Sequence, residues 1–230
     1  MTALVNTARY HLTNRVNYVV LPWAILTFAF VIDVVILALT PVGNTSHRWV
    51  GGTATIYVVL FAGGLVSVSR SLPFGLTLGL SRRTYYLGTA LLSVILAIVY
   101  GGVLTGLQGI ERATGGWGMN MAFFRVPYLL NGPWYESWLT SMVFLALLFA
   151  YGIWYGLIFR RWGMVGLMTF TATQVAVLTA GAVVASWAHA WGSIGHFFTS
   201  LSAMGLTGVL AGLAVALLAG GFVTMRRVTV

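Results

Sequence analysis

Few side chains in this sequence could carry out chemistry. The only acids are Asp33, Glu111 and Glu136, and the chain has neither lysine nor cysteine. Paired-carboxylate catalysis, catalytic triads and metal sites each need several convergent polar groups. The absence of lysine also excludes a P-loop, and with it ATP hydrolysis by the Walker mechanism. We therefore predict that the chain is not an enzyme, and we expect no catalytic residue, no bound metal and no cofactor.

The low charge content predicts a membrane protein. Charged residues make up 7% of the 230 residues and hydrophobic residues 59%, whereas soluble domains carry about 25% charged residues. A surface that faces lipid needs few charges, but a soluble surface cannot be covered with so few. The formal net charge of +9 comes from arginines scattered singly and in pairs. This lacks the basic stripe of a nucleic-acid binder, so we expect no nucleic-acid partner.

Six apolar stretches are long enough to cross a bilayer, which takes about 20 residues of helix. We therefore predict an all-α helical bundle that forms a single transmembrane domain over residues 1–230. The predicted spans are 16–39, 50–69, 86–106, 138–159, 164–186 and 200–223. Residues 1–15 place apolar side chains at helical spacing between polar ones, which predicts a short amphipathic helix in the membrane interface.

The arginines indicate how the bundle is oriented, because short cytoplasmic loops carry an excess of positive charge. If the N-terminus is cytoplasmic, the inner segments hold nine arginines and the outer segments three. The inner residues are Arg9, Arg15, Arg70, Arg82, Arg83, Arg160, Arg161, Arg226 and Arg227, and the outer residues are Arg48, Arg112 and Arg125. We therefore predict a multi-pass protein of the cytoplasmic (inner) cell membrane with both termini in the cytoplasm.

Asp33 is the one acid inside a predicted span, where a central carboxylate would cost roughly 2.5–3.5 kcal/mol on insertion scales. One interpretation is an intramembrane polar group that lines a cavity or responds to protons. The other is a carboxylate that is hydrogen-bonded within the bundle or reaches the outer interface. His189 and His196, in the last outer loop, could likewise form a metal-binding pair or be ordinary interfacial histidines.

Glycines recur at a spacing that lets membrane helices approach closely. The pairs are Gly102 and Gly106, Gly152 and Gly156, and Gly208 and Gly212. Each pair marks a position where two helices could touch, although glycine is common in membrane helices generally.

The longest predicted cytoplasmic connection, residues 70–85, is more than a linker. Leu72, Leu76 and Leu80 are spaced one helical turn apart and could share a face. Arg82 and Arg83 follow directly. Such a helix either docks into a groove on a partner protein or rests on the lipid surface, and the residues alone leave both open.

Residues 73–88, PFGLTLGLSRRTYYLG, resemble a stretch of bacterial type-2 ABC exporter permeases, particularly small actinobacterial membrane subunits. That stretch, G-[VLM]-S/T-R-R-x-x-x-x-G, lies between the second and third spans of the family. The resemblance extends over nearly the whole chain and includes ERATGGWG at 111–118. The family's larger outer elaboration usually lies between spans five and six, whereas here it lies between spans three and four.

The resemblance implies a coupling helix that touches a cytoplasmic ABC ATPase on a separate chain. It also implies a second permease copy or a paralogue, surrounded by membrane lipid. The coupling residues it implies are Leu72, Phe74, Leu76, Leu80, Arg82 and Arg83. The expected function is export of an amphipathic or hydrophobic substrate by alternating access.

Two alternatives remain from the sequence. One is the six-span substrate-binding subunit of a small-molecule importer, which would need a compact polar cluster in its outer loops. The candidates for that cluster are Glu111, Arg112, Asn120, Arg125, Asn131 and Glu136. The other is a non-transport membrane anchor subunit, which as a haem anchor would need histidines inside facing spans.

Overall fold

The computed structural model describes residues 16–40, 48–77, 79–126, 130 and 132–225. The predicted interfacial helix at 1–15 and the predicted cytoplasmic C-terminus, with Arg226 and Arg227, lie outside these residues. The described chain is mostly helical, which confirms the predicted all-α class. Its helices are α1 Leu21–Leu39, α2 Ala54–Ser69, α3 Ser71–Thr77, α4 Arg82–Ala113, α5 Trp134–Trp187, α6 Trp191–Ser200 and α7 Ala203–Met225. Two short strands, β1 Arg48–Trp49 and β2 Met121–Ala122, pair in parallel.

Five helical stretches in the described chain are long and apolar enough to cross a membrane. They are Tyr18–Leu39, Ala54–Thr77, Arg82–Ala113, Trp134–Trp187 and Ala203–Met225. Their outward side chains are largely apolar: Phe28, Val58 and Leu178, for example, are all more than half exposed. These features support the prediction of a membrane-embedded helical protein, because such a surface suits lipid rather than water.

α5, at 54 residues the longest helix, reverses direction at Gly163. That glycine has φ 65° and ψ −157°, a conformation largely restricted to glycine. The Tyr151 hydroxyl lies 2.7 Å from Gln174 Oε1, and the rings of Tyr155 and Phe170 are 5.3 Å apart. A straight helix would separate Tyr151 from Gln174 by about 35 Å. The two halves of α5 are therefore antiparallel and packed against each other.

α2 and the first half of α5 touch backbone to backbone. A Cβ atom on Gly152 would collide with the carbonyl oxygen of Phe61, and one on Gly64 with the carbonyl oxygen of Phe149. A Cβ on Gly156 would lie 2.8 Å from the carbonyl oxygen of Leu65. The absence of side chains at these three glycines therefore sets the distance between the two helices.

The buried core lies between α2, α4 and the first half of α5, and α7 closes one side of it. The Tyr86 hydroxyl on α4 donates to the Leu218 carbonyl oxygen at 2.7 Å. The Trp154 indole on α5 donates to the Leu217 carbonyl oxygen at 2.8 Å. We call the end of the bundle that holds β1, β2 and residues 114–126 the loop end, and the opposite end the α3 end.

Candidate functional site

The α3 end carries the segment that the sequence predicts to contact an ATPase. Leu72 is only 1% exposed and belongs to the core, while Leu76 and Leu80 are partly buried against that core. The predicted helical face is not formed by all three leucines, because α3 ends at Thr77 and Leu80 lies beyond it, after Gly79 with φ 82°. All three side chains nevertheless pack onto the chain itself. The apolar side chain that projects outward from α3 is Phe74, which is 54% exposed.

The start of α4 fixes α3 in place. The Ser81 hydroxyl accepts the N–H of Thr84 at 3.1 Å and caps the helix. Tyr85, one residue further, is buried, and its hydroxyl donates to the Ser67 carbonyl oxygen of α2 at 2.5 Å. A Cβ on Gly75 would lie 2.7 Å from the Tyr85 ring. α3 thus packs against α4 through Gly75 and Tyr85, and Tyr85 in turn ties α4 to α2.

The predicted arginines lie directly after α3, in the first turn of α4. Arg83 is exposed, and Arg82 is partly buried. Together with Phe74 they place one apolar side chain and two cations at the same end of the bundle.

Glu111, near the end of α4, organises the loop end. Its carboxylate is 0% exposed, and it accepts four hydrogen bonds. The backbone N–H groups of Phe123 and Phe124 donate to it at 2.9 Å each, the Trp117 indole at 3.3 Å and Arg125 Nε at 3.0 Å. A buried carboxylate is tolerated when it is paired and hydrogen-bonded in this way. Glu111 is therefore a structural anchor.

A left-handed turn brings these donors to Glu111. Residues 115–118 and Asn120 all have positive φ, which explains the three glycines in the sequence GGWGMN because glycine adopts this region at little cost. The chain then enters β2, which pairs with β1. The turn thereby joins the end of α4 to the segment that precedes α2.

Further contacts hold the rest of the loop on α4. The Arg112 guanidinium donates to the Gly132 carbonyl oxygen at 3.0 Å, and the Gln108 amide donates to that of Leu130. Within the predicted polar cluster, the side chains of Glu111 and Arg125 form an ion pair. Asn131 lies outside the described residues. These polar groups mainly hold the loop in place.

A cavity of about 360 Å³ lies beneath this loop, among the loop-end portions of α2, α5 and α7. Its walls are mainly apolar and aromatic, with Tyr57, Phe144 and Leu210 among the lining residues. Of the described residues in the lining, Arg125 is the charged one. Small-molecule sites usually have this character: mostly apolar walls, a few placed polar groups and a volume of about 300–1,000 Å³.

No protein-family model, curated protein or solved structure matches this chain. Its function is therefore argued from the resemblance of residues 73–88 and from the geometry of the two ends of the bundle.

Asp33 lies at the loop end of α1, beside Gly52 and Phe123. Its Oδ2 atom is buried and has no hydrogen-bond partner among the described residues. Asp33 therefore lies near one end of an apolar helix, and the structure places it next to the loop that Glu111 anchors.

We expect Asp33→Asn to fold normally and to melt at the same temperature as the wild type or higher. The amide has the same size, and it removes a charge from a position where one oxygen is buried without a donor. Thermal unfolding in detergent measures this. A large fall in melting temperature would show that the carboxylate itself is needed.

The two histidines that the sequence offers as a metal-binding pair lie on the surface. His189 lies between α5 and α6 with φ 50°, and His196 lies in α6; both are exposed. The described chain contains no group of three His, Cys, Asp or Glu side chains that could hold a metal ion.

Sequence reasoning missed the pairing of Glu111 with Arg125 and a hydrogen-bonded cluster inside α5. In that cluster Gln174 Oε1 accepts the hydroxyls of Tyr151 and Tyr155, at 2.7 and 2.8 Å. The sequence held a signal for each. Glu111 and Arg125 flank a glycine-rich turn, which could have indicated the ion pair, and Gln174 lies inside an apolar segment, which could have indicated the cluster.

Proposed function

We propose that this chain is the membrane-spanning permease subunit of an ATP-binding cassette exporter. ATP would be hydrolysed by a separate cytoplasmic ATPase, and a second permease copy or a paralogue would complete the transporter. The observation that carries the proposal is the segment 73–88, which resembles the coupling region of type-2 permeases and lies at one end of a membrane-embedded bundle.

The six-span topology forms part of this proposal. Because α5 reverses at Gly163, its two halves supply two crossings, and each exceeds the length of about 20 residues that a crossing needs. The described inner arginines, Arg70, Arg82, Arg83, Arg160 and Arg161, lie towards the α3 end, whereas Arg48, Arg112 and Arg125 lie at the loop end. By the positive-inside rule the α3 end would then be cytoplasmic, in the inner membrane.

The contact with the ATPase is centred on Phe74. An exposed aromatic side chain can fill a pocket on a partner and carry much of the binding energy, with Arg83 at the rim. Leu72, Leu76 and Leu80 attach α3 to the bundle and transmit its movement instead of meeting the partner. Closure of the ATPases on ATP would push α3, and the contacts of Gly75 and Tyr85 would pass that displacement to α4.

Alternating access follows if the displacement of α3 rocks two such bundles against each other. The substrate would lie between the bundles, against apolar and aromatic side chains. This arrangement suits an amphipathic or hydrophobic molecule that crosses the cytoplasmic membrane outward.

The replacement Phe74→Asp tests the proposal. We expect the variant to insert and melt like the wild type, because an exposed residue changes, yet to lose co-purification of the ATPase and to lose transport. An unpaired charge in a contact costs about 3–5 kcal/mol, which lowers affinity by more than a hundredfold. Quantitative mass spectrometry of the purified complex measures the ATPase retained per permease.

Two further replacements serve as controls. Trp134→Asp changes an aromatic residue that is 70% exposed at the loop end, and it should retain the ATPase. Leu76→Asp should lower stability as well as coupling, because Leu76 packs against the core. If Phe74→Asp retains both the ATPase and transport, α3 is not the coupling element.

The cavity at the loop end favours a second candidate function, the substrate-binding subunit of an importer. Its location on the proposed outer side suits capture of a small molecule from outside. Uptake and efflux assays on inverted and right-side-out vesicles distinguish the two functions by the direction of transport.

A further inference from the structure

Among the described residues that line the loop-end cavity, Arg125 carries hydrogen-bond donors that no other described residue uses. Arg125 is 15% exposed and directs its Nε to Glu111 Oε1 at 3.0 Å. Its two terminal nitrogens have no hydrogen-bond partner among the described residues, and the residue lines the cavity. Because these nitrogens are not buried away from the cavity, they can donate charge-assisted hydrogen bonds to an acceptor on a ligand.

The hydroxyl groups around the cavity are already engaged. The Thr53 hydroxyl donates to the Phe123 carbonyl oxygen, and the Thr140 and Thr207 hydroxyls are 2.8 Å apart and share a hydrogen bond. Among the described lining residues, the charged hydrogen-bond donors therefore come from Arg125. The remaining walls, including Tyr57 and Phe144, offer apolar and aromatic surface.

We propose that this cavity binds an amphipathic anion with a single charged, oxygen-bearing head and a short apolar body. The head accepts hydrogen bonds from the terminal nitrogens of Arg125, whose planar fork suits carboxylate and phosphate oxygens. Glu111 offsets the positive charge of Arg125 and holds the guanidinium in place, which favours a singly charged head over a multiply charged one. The body packs against Tyr57, Phe144 and Leu210.

This site stands apart from the ATPase contact, which is at the opposite end of the bundle. It would exist in an exporter and in an importer subunit alike, so failure of either proposal leaves the other testable. Two sources offer the same head chemistry: a free medium-chain carboxylate and the phosphodiester of an anionic lipid.

Equilibrium binding of radiolabelled octanoate to the chain in phosphatidylcholine nanodiscs tests the site. We expect saturable binding above that of empty nanodiscs. In the wild-type chain, unlabelled octanol should compete about tenfold or more weakly than unlabelled octanoate, since it lacks the charge-assisted hydrogen bonds to Arg125. This competition experiment uses the wild-type chain, so its result does not depend on whether a variant folds.

A pair of matched variants locates the binding. Ala54 lines the cavity, whereas Ala62 is exposed further along the same helix. Ala54→Phe should fill the cavity and weaken octanoate binding about tenfold or more, while Ala62→Phe should leave it unchanged. Equal binding in the two variants, or equal competition by octanol and octanoate, would overturn the proposal.

Nanodiscs that contain phosphatidylglycerol distinguish the two sources. Loss of octanoate binding in these discs identifies the lipid headgroup as the occupant of the site. Retention of octanoate binding identifies a free amphipathic carboxylate.

Discussion

Replacement of Gly152 by alanine is expected to destabilise the protein by about 1–3 kcal/mol or more, the usual cost of overpacking a core. The added methyl group would collide with the carbonyl oxygen of Phe61 and lie 3.0 Å from the amide nitrogen of Leu65. Both are backbone atoms of α2, so a change of side-chain rotamer cannot relieve the clash. α2 and α5 would have to separate along the whole contact.

Thermal unfolding in detergent measures this effect, and the chain offers a matched control. Gly212 on α7 belongs to a glycine pair of the same spacing, but a Cβ there meets nothing within 4 Å. Gly212→Ala should leave stability unchanged or raise it by up to about 1 kcal/mol, because alanine favours a helix more than glycine does. Equal melting temperatures for the two variants would show that α2 and α5 are not in backbone contact.

Glu111→Ala should produce a comparable or larger loss, about 3–5 kcal/mol, because it breaks a buried ion pair by removing one partner. The change leaves the Arg125 guanidinium without its carboxylate, and it removes the acceptor for the N–H groups of Phe123 and Phe124. The loop end should therefore loosen before the rest of the bundle. Limited proteolysis between residues 114 and 133, together with thermal unfolding, measures the change.

Two comparisons separate the ion pair from a general effect of losing an acid. Glu136→Ala removes a partly exposed acid from the first turn of α5 and should cost about 0.3–1 kcal/mol through the helix dipole. The double variant Glu111→Ala/Arg125→Ala should recover part of the lost stability, because no charge is left unpaired. Additive losses in the double variant would contradict the pairing.

The apolar runs of the sequence located the helices well, because length and hydropathy are local properties of the chain. The predicted segments 138–159 and 164–186 lie on either side of the turn at Gly163. α4 extends well beyond the predicted segment 86–106, because polar residues such as Gln108 and Glu111 also find partners inside the fold. The length of the apolar segment therefore underestimates the length of a helix whose polar end is buried under a loop.

The candidate sites were harder to predict, since they depend on contacts between distant residues. The spacing of Leu72, Leu76 and Leu80 predicted one helical face, but the helix ends at Thr77 before Leu80. Spacing also cannot show whether apolar side chains meet a partner or, as here, the chain's own core. The three glycine pairs look alike in sequence, yet the structure places Gly152 and Gly156 against α2 while Gly208 and Gly212 have open space. The cavity depends on a left-handed turn and on helix packing, which leave no periodic signal.

Photo-crosslinking from position 74 tests the central claim, an ATPase bound at α3, most directly. Phe74 is replaced by the photoreactive analogue benzoylphenylalanine in the native host, membranes are irradiated, and the adduct is identified by mass spectrometry. We expect an adduct between position 74 and an ATPase that carries a P-loop. When the analogue replaces Trp134 at the loop end, we expect no adduct with that ATPase. Adducts with lipid alone at position 74, or an ATPase adduct at position 134, would contradict the proposal that the ATPase binds at α3.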